Sequence, residues 1–533
     1  MLMNTVPHLF RLIIGVISRS CRSWLIASAL ALPCTALAQS AQGAQMRPRS
    51  FDLMEASIPQ IQAALTAGII TSRALVAAYL ARIDAYDQRG PALNAISVVN
   101  PGALDEAAAL DAERRTGKMR GPLHGVPIIV KDNFETAGMQ TANGSQSMAG
   151  WVPPEDAHAV KRLRAAGAIV IAKSNMHEFA RGIISVGSLF GAVRNPYALD
   201  RNPGGSSGGT GAAIAANFAA VGMGSDTCGS IRIPAFHNSL VGIRGTQGLM
   251  SRAGIIPLSS TQDIGGPIAR SVTDLAIVLN TLVGYDPADP QTAAAVGNTP
   301  KSYTDFLRSN GLRGARIGLL SNLLETEPDD KEVATLVRAA AKEMIGLGAQ
   351  VVEVEAAGIA EHIADNVVLT TDFKFDLNAY LASRPGVPVR SLEEVIASGK
   401  YHKSLEKILH TAQAMASRDT TEYFQRRTGR ELLRGVILKA MADHRLDTLV
   451  YPSIRRKANT IGEAQAGTNC RLSSNSGLPA IVVPAGFTAD GLPIGVELLG
   501  RAWSEPLLIR LAYAYEQGTR HRRPPASTPA LAR

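Results

Sequence analysis

Gly204-Gly-Ser-Ser-Gly-Gly209, followed by Ser225-Asp-Thr-Cys-Gly-Ser230-Ile-Arg232-Ile-Pro, is the stretch around which this 533-residue chain is organised. A glycine–serine run alone reads as a flexible linker. Linkers have polar neighbours, whereas this one opens directly into Thr210 to Ala220, an alanine-rich apolar helix. Glycines at a helix start let the backbone approach another group and present N–H groups to an anion. A phosphate loop needs Lys-Ser or Lys-Thr after its glycines, and none is there. Gly205 and Gly208 do not supply the Gly-x-Gly-x-x-Gly spacing of a dinucleotide site either.

Outward from this stretch, strand and helix signals alternate. Val126-Pro-Ile-Ile-Val130 and Ala168-Ile-Val-Ile-Ala172 are short, wholly apolar runs, the pattern of strands buried on both faces. Helices are expected at Ser72 to Tyr86, Glu155 to Ala166, Lys331 to Leu347 and Pro506 to Gln517. Further strands are expected at 316–320, 350–354, 446–451 and 480–484. The alternation predicts one α/β domain over 50–518, a mixed central sheet covered by helices on both faces. Residues 358–445 are charged, with apolar residues at helical spacing, and read as a helical cap or insertion within it. Their pattern fits either a lid over a pocket or the solvated face of a helical layer.

At the ends, Arg19 and Arg22 precede the apolar run Trp24 to Leu32, and Ala36-Leu37-Ala38 has the form of a cleavage site. Residues 1–38 therefore read as a signal peptide, cut after Ala38, which makes the mature chain periplasmic or secreted. The apolar run is too short to span a bilayer, so no stable membrane anchor is expected, and Pro33 beside Cys34 suits a lipoprotein site poorly. Residues 39–49 form a polar lead-in, and 519–533 a Pro- and Arg-rich tail expected to be loose. The formal charge is +9, or +6 once Arg11, Arg19 and Arg22 leave with the leader. The remaining positive charge is scattered rather than gathered into a stripe, so nucleic acid is not an expected partner. Of four cysteines, only Cys228 and Cys470 outlast the leader, and no spacing suggests a metal or other cofactor.

Gly204-Gly-Ser206-Ser-Gly208 matches the Gly-x-Ser-x-Gly elbow of α/β-hydrolases, which would make Ser206 the nucleophile of an esterase. That elbow needs a strand immediately before it, and Arg194 to Pro203 reads as loop. A different likeness covers far more of the chain. The Gly/Ser stretch, with Ser230 falling 24 positions after Ser206, resembles the amidase signature. So do Gly125-Val-Pro-Ile-Ile-Val-Lys131-Asp-Asn133, Lys173-Ser-Asn-Met-His-Glu178-Phe-Ala and Gly266-Pro-Ile-Ala-Arg270. Ser476-Gly-Leu-Pro-Ala480 and Gly491-Leu-Pro-Ile-Gly495 extend the resemblance, which runs from about Ser57 to Glu516.

The resemblance implies metal-free hydrolysis of a carboxamide C–N bond. Ser230 would attack the carbonyl, Ser206 would bridge its proton, and Lys131 would receive it. A lysine with an ordinary pKa near 10.4 cannot serve, so the role requires burial, and the apolar strand before Lys131 fits that need. The family's positions also imply a cis peptide before Ser206 and an oxyanion hole from the backbone of Thr227, Cys228, Gly229 and Ser230. Gly204, Gly205, Ser207, Asp226 and Arg232 would support these groups. Cys228 departs from the glycine common at its position, and it is either a free thiol or paired with Cys470. Gly242-Ile-Arg-Gly-Thr246 departs from the usual Gly-Leu-Lys-Pro-Thr. Residues 371–381 and 254–263 most resemble the peptide-amidase branch, implying a peptide C-terminal amide or a small aliphatic or aryl amide as substrate. The amidase component of a tRNA-linked amidotransferase shares the core, but an exported chain does not suit that role.

Overall fold

The apolar run Pro127 to Val130, ending in Lys131, makes Pro127–Lys131 a strand buried along its whole length. Burial of side chains such as Ile128, Ile129 and Val130 contributes roughly 1.5–3 kcal/mol each. The structure is a computed structural model that describes residues 51–365 and 367–531, so the leader and lead-in expected at 1–49 lie outside the described residues. The strands in chain order are β1 (Ile96–Val99), β2 (Pro127–Lys131), β3 (Ile169–Ser174), a small hairpin of β4 (Val186–Gly187) and β5 (Gly191–Ala192), β6 (Val221–Asp226), β7 (Val241–Arg244) and β8 (Ile264–Ala269). They continue as β9 (Arg316–Leu320), β10 (Gln350–Val354), β11 (Thr448–Tyr451), β12 (Ala480–Phe487) and β13 (Pro493–Leu499). Eleven of them form one mixed sheet in the order β1-β3-β2-β6-β8-β7-β12-β13-β11-β9-β10.

What positions the site is the parallel run of β3, β2 and β6. Their carboxyl ends, Ser174, Lys131 and Asp226, emerge on the same edge, where α/β sheets gather their functional loops. Ser206 lies on a loop above that edge and leads into the helix Gly208–Ala215. The helix lies close against the sheet because glycine faces it. A Cβ on Gly222 of β6 would run into Thr210, and one on Gly209 into the carbonyl of Asn175.

Five sheet strands escape the periodicity reading: β1, β6, β7, β8 and β13. Ile264-Gly-Gly-Pro-Ile-Ala269 is the clearest case, a central strand containing the residues that usually mark turns. The helix at Glu155 to Ala166 begins later, at His158, and that at Thr210 to Ala220 runs instead from Gly208 to Ala215.

The 358–445 segment is helical, with helices Ile359–Asp365, Leu369–Ser383, Leu392–Ser398, Glu406–Gln413 and Thr421–Asp443 between β10 and β11. It has a buried apolar face of its own. Phe373, Leu377 and Leu381 pack with Met148, Trp151, Phe179 and Leu258 in a second core beside the sheet. Phe179 meets Phe373 edge-on at 6.1 Å, and Glu135 accepts a hydrogen bond of 2.6 Å from Tyr380.

The described part of the tail, 519–531, makes contacts with the domain that its composition does not suggest. Arg82 is buried and donates to the carbonyls of Thr528 (2.8 Å) and Pro529 (2.7 Å), while Arg522 pairs with Glu55 at 2.7 Å. A Pro- and Arg-rich composition suggests solvation, but these arginines close the chain end onto the domain.

Candidate active site

The carboxyl end of β2 carries Lys131, which has no solvent exposure. Its Nζ donates to Ser206 Oγ at 2.8 Å, to Ser225 Oγ at 2.9 Å and to the Ser225 carbonyl at 3.3 Å. Burial pulls the lysine down to about 7, against the attraction of Asp226 and Asp263. A lysine drawn down that far and in direct contact with a serine hydroxyl has the properties that a base working near neutrality needs.

Ser206 is buried, and the peptide bond between Gly205 and Ser206 is cis. Its carbonyl accepts from the His177 N–H at 3.0 Å. Ser185 Oγ donates to the Gly204 carbonyl at 2.8 Å and accepts from the Gly208 N–H at 2.9 Å. Gly205 leaves no room for a side chain, since a Cβ there would lie 2.7 Å from the Ile183 backbone. The segment before Ser206 is loop, not the strand that a nucleophile elbow requires. Ser207 joins the two halves of the site: its N–H donates to the Ser230 carbonyl at 3.2 Å and its hydroxyl to the Ser225 carbonyl at 3.3 Å.

The turn after β6 is built around Asp226. This buried carboxylate accepts from the Gly229 N–H at 2.7 Å and the Ile231 N–H at 3.1 Å. Arg232 and Arg244 each approach it to 3.1 Å. Burial alone would raise its pKa, but the two guanidinium groups hold it well below the usual carboxylate range. Arg232 continues to Glu497 at 2.6 Å, where Tyr451 also donates at 2.6 Å. Two carboxylates and two guanidinium groups thus neutralise one another beneath the turn. Gly229 corrects the expected oxyanion hole, because its N–H is committed to Asp226. Among the described residues, the N–H groups of Thr227, Cys228 and Ser230 donate to no protein atom, so these three remain available.

Cys228 is paired with Cys470 in a disulfide whose Cα atoms lie 5.1 Å apart. The Thr227 hydroxyl donates to Asp263, whose carboxyl burial pushes up to about 6. No group of three or more His, Cys, Asp or Glu side chains among the described residues could hold a metal ion.

Several contributors have no role assigned to them by the sequence, although most lie inside the segments quoted above. Ser225 holds the lysine, and Asn133 in turn donates to Ser225 Oγ at 2.9 Å. Arg244 is one of the three departures at Gly242 to Thr246, and its guanidinium also donates to the Gln262 carbonyl at 2.7 Å. Glu497 offered a faint signal, a carboxylate inside the apolar strand β13. His177, buried and pushed down to about 3 by burial, stays neutral beside Ser206.

The family described as Amidase matches residues 74–509, a span that includes the lysine, both serines and the turn after β6. The chain belongs to the amidase family. A peptide amidase from Stenotrophomonas maltophilia superimposes with a TM-score of 0.83 at 42% identity, covering 88% of this chain and 98% of that one. A probable amidase of Arabidopsis thaliana is 37% identical over 89% of this chain and 92% of its own length. A component of the glutamyl-tRNA(Gln) amidotransferase from Synechococcus is 36% identical, over 82% of this chain and 87% of its own length. This amidase is an enzyme acting on C–N bonds, on the mixed α/β fold that its sequence predicts.

Proposed function

We propose that Ser230 attacks a carboxamide carbonyl and forms an acyl-enzyme. Ser206 receives the Ser230 proton and passes its own to neutral Lys131. The tetrahedral oxyanion is held by N–H groups of Thr227, Cys228 and Ser230, each donor stabilising it by a few kcal/mol. The proton returns through Ser206 to the departing nitrogen, and ammonia or an amine leaves. Water then attacks the ester along the same relay and releases the acid. The observation that carries this reading is the buried Lys131 Nζ, 2.8 Å from Ser206 Oγ and drawn towards neutrality.

The substrate is a peptide C-terminal amide or a small aliphatic or aryl amide, supported by the 42% identity to a peptide amidase. The protein works in the periplasm or outside the cell. Supporting this are the leader at 1–38 and the Cys228–Cys470 bridge, since disulfides persist in oxidising compartments. The test is one panel of peptide amides, aliphatic and aryl amides and glutamine, run on wild type, Ser230→Ala, Ser206→Ala and Lys131→Ala. Peptide amides are expected to lead, with all three variants strongly impaired. Full activity in Ser230→Ala with none in Ser206→Ala would restore the elbow mechanism. Preference for glutamine would favour the amidotransferase reading that the 36% identical relative raises.

A further inference from the structure

The turn from Asp226 to Ile231 is tied down unevenly. Asp226 takes the N–H groups of Gly229 and Ile231. Thr227 donates its hydroxyl to Asp263 at 2.5 Å. The Gly229 carbonyl accepts from Ile233 at 2.7 Å, and the Ser230 carbonyl from Ser207 at 3.2 Å. Cys228, at the apex and half-buried, makes no hydrogen bond with any described residue. Its tie is the disulfide to Cys470, 242 positions away.

The far end of that tie is firmly held. The Cys470 carbonyl accepts from Arg232 at 3.1 Å, the guanidinium that also grips Asp226. Its neighbour Asn469 donates to the carbonyls of Leu323 (2.8 Å), Pro452 (2.9 Å) and Ser453 (3.0 Å). Gly229 must be glycine for the bridge to sit there. Its φ is +87°, and a Cβ would fall 2.7 Å from Cys470 Cβ. One end of the disulfide is therefore part of the rigid frame beneath the turn, and the other is a residue with no hydrogen bond to restrain it.

We infer that the Cys228–Cys470 bridge is a positioning device for catalysis, holding the Cys228 N–H aimed at the oxyanion. The inference rests on the reading of Ser230 as nucleophile and Cys228 as an oxyanion donor. Where glycine occupies the turn, the backbone must hold itself; here a covalent strut from the 469–470 frame does so. A dithiol reductant would release the strut, with two electrons and two protons converting the bridge to two thiols while the dithiol closes to a cyclic disulfide.

The test compares wild type with the double variant Cys228→Ser/Cys470→Ser, and with wild type reduced by a dithiol under conditions where its circular dichroism is unchanged. Removing an oxyanion donor outright costs about 10²–10³ in kcat, so a donor left in place but unrestrained is expected to cost about tenfold or more. KM for a peptide amide should hold within about twofold, and affinity for a peptidyl aldehyde, whose hemiacetal oxygen needs the same donor, should fall in step with kcat. A bridge that merely stabilises the fold would lower Tm and leave kcat and aldehyde affinity untouched well below it; that result overturns the inference. Ser230→Ala is run in parallel. If it stays active, the nucleophile assignment fails; if it is dead while the unbridged enzyme keeps full kcat, only the strut fails.

Discussion

Replacing Lys131 by methionine removes a buried amine and keeps nearly the same shape, so the pH dependence of the change isolates the charge. The folded-state pKa lies at about 7, against an ordinary 10.5. That difference corresponds to about 5 kcal/mol of disfavour for the protonated lysine in the folded protein. The sign follows from a lysine whose pKa is depressed by folding. The penalty is fully present below about pH 7, shrinks as pH rises between the two values, and is gone above about 10.5. Methionine escapes that penalty but leaves the hydroxyls of Ser206 and Ser225 and the Ser225 carbonyl without their donor, costing about 1–3 kcal/mol at every pH. Lys131→Met should thus be the more stable protein near pH 7 and the less stable near pH 10. Urea-unfolding midpoints measured from pH 6.5 to 10 for both proteins should cross. Parallel curves would mean that Lys131 titrates alike in folded and unfolded chains, and would refute its assignment as a neutral base.

Three further outcomes follow from the same contacts. Arg232→Met leaves Asp226 and Glu497 buried with one guanidinium between them, and should cost about 3–5 kcal/mol by denaturant unfolding at neutral pH. Because Asp226 is held below its usual value, its contribution is present above about pH 4 and fades as pH falls, so the gap from wild type should narrow in acid. Ser225→Ala removes one of the lysine's three acceptors and should lower kcat about tenfold, the kinetic equivalent of one ordinary hydrogen bond, with KM little changed. Phe373→Ala opens the core beneath the cap and should cost about 3–5 kcal/mol; a loss below about 1 kcal/mol would mark the cap as a solvated layer rather than a packed one.

Much of this site is legible from residue type and spacing, and the reasons are physical. Lys131 stands out because five apolar residues precede it, and a charge at the end of a buried strand needs a purpose. Ser206 and Ser230 stand out because glycines beside a serine signal an unusual backbone path. The strands β2 and β3 are visible because unbroken apolar runs have few other uses, and β9 and β10 because short runs rich in Ile, Leu and Val flank a helical segment. The strands β6 and β8 are not visible, since Gly222, Gly224, Gly265 and Gly266 reflect crowding by side chains and backbone packed against them rather than local preference, and Pro267 reads as a turn residue. Partnerships over long separations are equally hidden. Arg232 with Glu497, Arg244 with Asp226, and Arg82 with the chain's end depend on the folded path, and so does the commitment of the Gly229 N–H to Asp226.

The central claim is that Ser230 carries the acyl group. The enzyme is mixed with an activated ester or anilide of a peptide acid, quenched in acid within the first turnovers, and digested for peptide mass mapping. An acyl adduct on the peptide containing Ser230, absent in Ser230→Ala and accumulating in wild type with a burst of the leaving group, is the predicted result. An adduct on the peptide containing Ser206, persisting in Ser230→Ala, would contradict it.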